Sequence, residues 1–158
     1  MVEAIIALSL LALGTIGIYT LISSSLRLNR VSANQYVATK LAEEGIELVK
    51  SILDANNMEG EAWNSGVADG DKELELQNSP EYDSVAITAS SNRLIKFDAT
   101  NGVYNYSSGT DTPFRRIVTI MNDSTDPDKI SVVSRVRWRE LGGQTSEVVL
   151  EDHLFNWR

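Results

Sequence analysis

The chain has 158 residues and a formal charge of −8, from 22 acidic residues against 14 Lys and Arg, with one histidine and no cysteine. That balance argues against nucleic acid as a primary partner, which needs a basic footprint, and the missing cysteines exclude disulfides and thiol chemistry. With nearly a third of the residues in one long N-terminal helix, about 100 remain, enough for one small domain.

Residues 4–22 (AIIALSLLALGTIGIYTLI) carry no charge. At roughly 1.5 Å per residue they span about 29 Å, the thickness of a bilayer's hydrocarbon core. Glu3 stands just before them, where an ionised group is costly and usually has an assigned partner. Gly14, Thr15 and Gly17 interrupt the run. Small residues let helices approach closely, and each Gly weakens a helix by about 1 kcal/mol against Ala. The expectation is therefore both close packing and a weak point at Gly14 and Gly17, where the helix opens in an assembled state. Beyond Arg30 the sequence continues without proline and with helical period. Val37, Ala38, Leu41, Ala42, Gly45, Leu48, Val49, Ile52 and Leu53 share one half of a helical wheel, opposite Lys40, Glu43, Glu44, Glu47, Lys50 and Asp54. This predicts one helix over residues 1–54. Residues 1–25 would be apolar all round and suited to lipid or to a bundle of copies; 26–54 would be amphipathic and packed on a sheet. Asn56, Asn57 and Gly60 predict its end near 54–57.

Residues 55–158 are expected to form a globular antiparallel β domain. It opens with an acidic, loop-like, solvent-facing region over 55–83, containing Gly60, Gly66, Gly70 and Pro80 and anchored on the helix by Trp63. Short β-patterned runs follow at 84–89, 93–97 and 103–106, the last two joined across Asn101-Gly102. Clear alternation then marks 114–121, 130–141 and 145–154, with turns at Asp126-Pro127 and Gly142-Gly143. For the last hairpin, a two-residue Gly-Gly turn would set Trp138 opposite Glu147. A three-residue loop, 142–144, instead pairs Trp138 with Val148, Val136 with Leu150, Arg139 with Glu147 and Arg135 with Glu151. Burial of one face favours the second register.

Little here points to catalysis. The single histidine, His153, lies among strand residues and reads as structural, and no phosphate loop, zinc spacing or nucleophile elbow is present. An enzyme is not expected, nor a cofactor. Asp69, Asp71, Glu73 and Glu75 place oxygen ligands at alternate positions but lack the Gly and bidentate Glu of a calcium loop, so a solvated acidic turn is the reading. Asp123, Asp126 and Asp128 likewise read as a turn. Arg135, Arg137 and Arg139 share a strand face, with Arg115 and Arg116 nearby, and pairing with Glu147 and Glu151 accounts for two of them without DNA.

The opening MVEAIIALSLLALGTIGIYTLI resembles the processed N-terminus of type IV pilins and pseudopilins, and the closing VVLEDHLFNWR is similar to the end of some bacterial members. The resemblance implies an α+β, type IV pilin-like fold. It also implies a basic leader removed by a prepilin peptidase that methylates the new terminus. In the family the glutamate is usually the fifth mature residue, and here it is the third. Either two residues, an aromatic and a small polar one, precede this sequence, or the subunit is processed differently; the first is preferred. Export with such a leader would override Arg27 and Arg30, which alone would hold the domain in the cytoplasm by the positive-inside rule. The implied function is a structural subunit of a homo-oligomeric helical filament, which lies in the cytoplasmic membrane before assembly and on the cell surface afterwards. Its partners are further copies of itself and the pilus assembly machinery. Glu3 would meet a neighbour's N-terminal amine during assembly, and Ile5, Leu8, Leu11, Ile16, Ile18 and Leu21 would pack the helical core. The alternatives are a minor pseudopilin of a secretion or DNA-uptake system and a single-pass, membrane-anchored envelope binding protein.

Overall fold

The computed structural model describes residues 2–78, 83–140 and 142–156. Met1, Pro80, Leu141, Trp157 and Arg158, which enter the expectations above, lie outside them. The architecture is α+β, with one long N-terminal helix and antiparallel sheets. The chain divides into two compact units, Met1–Tyr36 and Val37–Arg158.

One helix, α1, covers Val2–Glu59. In the first unit it takes in every described residue, and every residue from 2 to 30 is exposed. The helix runs past the predicted end at 54–57 because Asn56 and Asn57 are tolerated in its last turn. Gly60 is the actual stop. It takes φ +75°, and the Glu61 N–H then closes on the Asn56 carbonyl at 3.0 Å, which is the bond of a Schellman ending. The Asn56 amide donates to the carbonyls of Trp63 and Ser65, both at 2.9 Å, so its side chain ties down the loop and does not break the helix.

In the second unit the helix buries Ala38, Leu41, Ala42, Gly45, Leu48, Val49 and Leu53. The strands are β1 (Gly70–Asn78), β2 (Asp83–Ala89), β3 (Lys96–Asp98), β4 (Val103–Asn105), β5 (Thr110–Asp111), β6 (Arg115–Asn122), β7 (Lys129–Arg139) and β8 (Thr145–Phe155). They form a five-stranded sheet in the order β2-β1-β6-β7-β8 and a three-stranded sheet in the order β4-β3-β5. All pairings are antiparallel. Even-numbered residues of β6 and β7 face inward and odd-numbered ones outward, as strand period two requires. Two hydrophobic groups result. Leu48, Val49 and Leu53 meet Leu74, Val118, Ile120, Ile130 and Val132. Ala38, Leu41 and Ala42 meet Ile95, Tyr106, Phe114, Val136 and Trp138. Each fully buried aliphatic side chain contributes about 1.5–3 kcal/mol. Trp63 packs at the edge of the first group, and its indole N–H donates to the Pro127 carbonyl at 3.3 Å.

Two expectations need correction here. The region 55–83 is not all loop: it contains β1, which lies between β2 and β6 inside the large sheet. Alternating acids disguise it, because the only apolar residues of GDKELELQN are Leu74 and Leu76, too few to show a strand pattern. The β7–β8 register also differs from both options considered. Arg137 lies opposite Glu147, Val136 opposite Val148, Ser134 opposite Leu150 and Arg139 opposite Thr145. The connecting loop is five residues, 140–144, closed by hydrogen bonds from the Glu140 N–H to the Gln144 carbonyl and from the Gly143 N–H to the Glu140 carbonyl. The preferred three-residue register and the observed one place the same residues on each face. Face burial therefore cannot separate them, and the hydrogen bonding of the loop does.

Candidate functional site

The first unit presents an apolar surface between Glu3 at its start and Arg27 and Arg30 further along. Ile5, Leu8, Leu11, Ile16, Ile18 and Leu21 are each at least 60% exposed, and the helix is long and apolar enough to cross a membrane. Three hydroxyls within the run bond back to their own helix. Ser9 donates to the Ile5 carbonyl at 2.8 Å, Thr15 to Ala12 at 2.9 Å and Thr20 to Gly17 at 2.8 Å. A hydroxyl bonded back to its own helix leaves no unpaired donor to penalise an apolar environment. Gly14 and Gly17 continue the α-helix without a break, and a methyl group added at either would meet nothing within 4 Å. Both are open notches. Glu3 lies in the first turn, where a carboxylate is favoured by the helix dipole, and among the described residues no cation pairs with it.

The second unit has a buried polar seam between its two hydrophobic groups. Arg116, grouped with the exposed arginines from sequence, is 2% exposed and faces inward; its neighbour Arg115 faces outward, since consecutive strand residues alternate. The Arg116 guanidinium donates to the carbonyls of Leu41 at 3.0 Å and Leu74 at 2.7 Å and meets Glu44 at 3.1 Å. It thereby ties the helix to β1 and β6. Glu73, expected in solvent, is 1% exposed. It accepts the backbone N–H groups of Ser91 and Arg93, both at 3.0 Å, and the Arg93 side chain at 2.6 Å. Burial pushes the Glu73 carboxyl up, but the hydrogen bonds and charge of Arg93 outweigh this and hold it below the ordinary value. Arg93 also lies over the Tyr106 ring, 4.9 Å from its centroid, and the Tyr106 hydroxyl donates to the Arg116 carbonyl at 3.3 Å. Burial raises the Tyr106 hydroxyl above its usual range.

The other acids of that region are bound separately. Asp69 accepts both the backbone and side-chain N–H of Asn122, at 2.7 and 2.6 Å. Asp71 accepts the Thr119 hydroxyl at 2.7 Å and Glu75 the Ser107 hydroxyl at 2.7 Å. Among the described residues no group of three or more His, Asp or Glu could hold a metal ion. His153 takes part in a bond with the Ser131 hydroxyl at its Nδ1, 2.8 Å away, and stands 3.6 Å from Glu151.

The outward face of β6–β8 carries the arginines. Arg115 is directly opposite Arg137, and Glu147 serves both Arg137 at 2.6 Å and Arg135 at 3.8 Å. The expected pairing of Arg135 with Glu151 and Arg139 with Glu147 does not form, as a consequence of the register. Arg139 donates instead to the Gly143 carbonyl, and Arg115 to the Asn92 carbonyl. The hydrogen bond from Arg137 and the nearby arginine charges hold Glu147 below the usual carboxylate range.

No protein-family model, curated protein or solved structure matches this chain.

Proposed function

We propose that this protein is a structural subunit of an extracellular filament of the type IV pilin kind, held in the membrane by its first unit until it assembles. The observation that carries the reading is the helix from Val2 to Arg30, without one buried residue, ahead of an antiparallel sheet unit with its own core. An apolar surface of that extent is stable only in lipid or against other copies. Packing many such helices together removes apolar area from water without a directional requirement, and Glu3 supplies the direction. Its carboxylate stands some 36 Å along the helix from Arg27, at about 1.5 Å per residue, so its cation comes from another molecule. The N-terminal amine of a neighbouring copy fits that role, and pairing offsets the cost of a charge in an apolar bundle. In the single chain the helix is continuous through Gly14 and Gly17; its opening there belongs to the assembled state. A prepilin peptidase and the pilus assembly machinery are the partners this reading requires.

The test is electron microscopy of the full-length protein and its Glu3→Leu variant at equal expression. Filaments from the parent and a sharp fall in their number in the variant are expected, with membrane insertion and sheet folding retained. Dispersed micellar particles from the parent would favour a membrane-anchored envelope protein. Normal filament numbers from Glu3→Leu would remove the assembly role of that carboxylate.

A further inference from the structure

We infer that the sheet units of successive copies dock head to tail, the arginine end of one large sheet against the acidic end of the next. The contact rests on the reading of the chain as a filament subunit and names the surface that would join neighbours outside the helices.

The arginine end is the outward face near the β7–β8 loop. Arg115 and Arg137 stand directly opposite each other, with Arg135 two residues along β7 and Arg139 two residues the other way. Like charges in cross-strand register are destabilising. The carboxylates at hand are Glu147, shared by Arg135 and Arg137, Glu140, which accepts the Trp138 indole N–H at 2.6 Å, and Glu151, which stands 3.6 Å from His153. The side chains of Arg135 and Arg137 remain 37% and 50% exposed. Four guanidiniums against three carboxylates leave an excess of positive charge in a chain whose total is −8.

The acidic end lies at the other extreme of the same strands. There the β6–β7 turn carries Asp123, Asp126 and Asp128, and the segment after the helix is fastened to it. Trp63 bonds Pro127, Asn64 bonds Asn122 at 3.4 Å, and Asp69 accepts the Asn122 backbone N–H. Glu59, Glu61, Asp69, Asp126 and Asp128 are all exposed. Among the described residues the one ion pair here is Lys129 with Asp123 at 3.8 Å. From Lys129 to Arg139 the strand rises ten residues, about 34 Å at roughly 3.4 Å each. That is about four Debye lengths at physiological salt, so the two ends do not neutralise each other within one chain.

An end-to-end two-fold contact would bring like ends together. Antiparallel, side-by-side packing about a two-fold axis would match arginines with acids too but closes as a dimer, whereas end-to-end docking of arginines on acids is heterologous and, where it does not close on itself, repeats into a filament. The same charge axis orients approach: two chains of net negative charge repel unless a basic end leads.

The absence of native cysteine permits a direct test on the full-length protein. Exposed Ser124 and Gln144 flank the two ends. Ser124→Cys and Gln144→Cys in one chain, treated with a short bis-maleimide, should give a ladder of dimers, trimers and longer products, and each alone should give none. Adding Arg137→Glu and Arg139→Glu should abolish the ladder, and further adding Glu59→Arg and Glu61→Arg should restore it. Dimers from Gln144→Cys alone, products of the double variant that stop at dimers, or a ladder that survives the arginine reversal, would overturn the inference. So would retention of double-stranded DNA by the parent that is lost on arginine reversal while no ladder forms, since the arginines would then serve nucleic acid. Micrographs separate the two failures. Filaments without a ladder defeat this contact alone, and the absence of filaments defeats the filament reading.

Discussion

Glu73 is the residue whose environment departs furthest from its sequence context. It lies in an acidic run, GDKELELQN, yet it is buried and is the acceptor for three donors of the 91–93 segment. Glu73→Ala would leave the Ser91 and Arg93 N–H groups without their acceptor, at a cost of about 1–3 kcal/mol. Glu73→Gln retains an acceptor oxygen and should cost less. The pH dependence follows from the lowered folded-state value. The stabilisation by this carboxylate is present above the ordinary value of 4.5 and is lost as pH falls through the lowered one. Urea unfolding at pH 7 and at successively lower pH checks this: the parent should lose stability below 4.5, and Glu73→Gln should show a shallower acid limb.

At the scale of the element, the contact between helix and sheet depends on Gly45. A Cβ there would lie 2.5 Å from the Ser134 hydroxyl oxygen, 3.0 Å from Val118 and 3.2 Å from Arg116. The Ser134 hydroxyl is buried and has no hydrogen-bond partner. Gly45→Ala should therefore destabilise through overpacking by about 1–3 kcal/mol, despite the better helix propensity of Ala. Ser134→Ala in that background should recover most of the loss, since it removes the nearest clashing atom and an unsatisfied polar group together. A double-mutant cycle by thermal or urea unfolding would show this as strong coupling; additive effects would contradict it. Gly45 was readable as a member of the apolar stripe, but the need for a glycine there was not, because Ser134 is 89 residues away in sequence.

For the molecule as a whole, stability and the proposed assembly reside in different stretches of chain. Among the described residues every buried one lies at Ala38 or beyond, so a chain lacking residues 2–28 should unfold at the same denaturant midpoint as the parent in detergent. It should also stay dispersed in aqueous buffer, having lost the exposed Ile and Leu surface. Circular dichroism during urea titration, with size-exclusion chromatography, measures both. A marked fall in midpoint would mean that the first unit supports the fold of the second.

By itself the sequence determined the features that depend on local period. The uncharged run 4–22 is visible because no charge interrupts it, the helical stripe from Val37 to Leu53 because its apolar residues recur every three or four positions, and β6, β7 and β8 because apolar and polar residues alternate along them. The tertiary structure alone decided the features that depend on distant partners. β1 is a strand through its pairing with β2 and β6, although its own residues are mostly polar. Arg116 and Arg115 part company only when a sheet face is covered by a helix. The β7–β8 register follows from the hydrogen bonds of its five-residue loop, whereas face burial is equally satisfied by a shift of two residues. Periodicity is a property of neighbours along the chain, and these choices were made by groups brought together through folding.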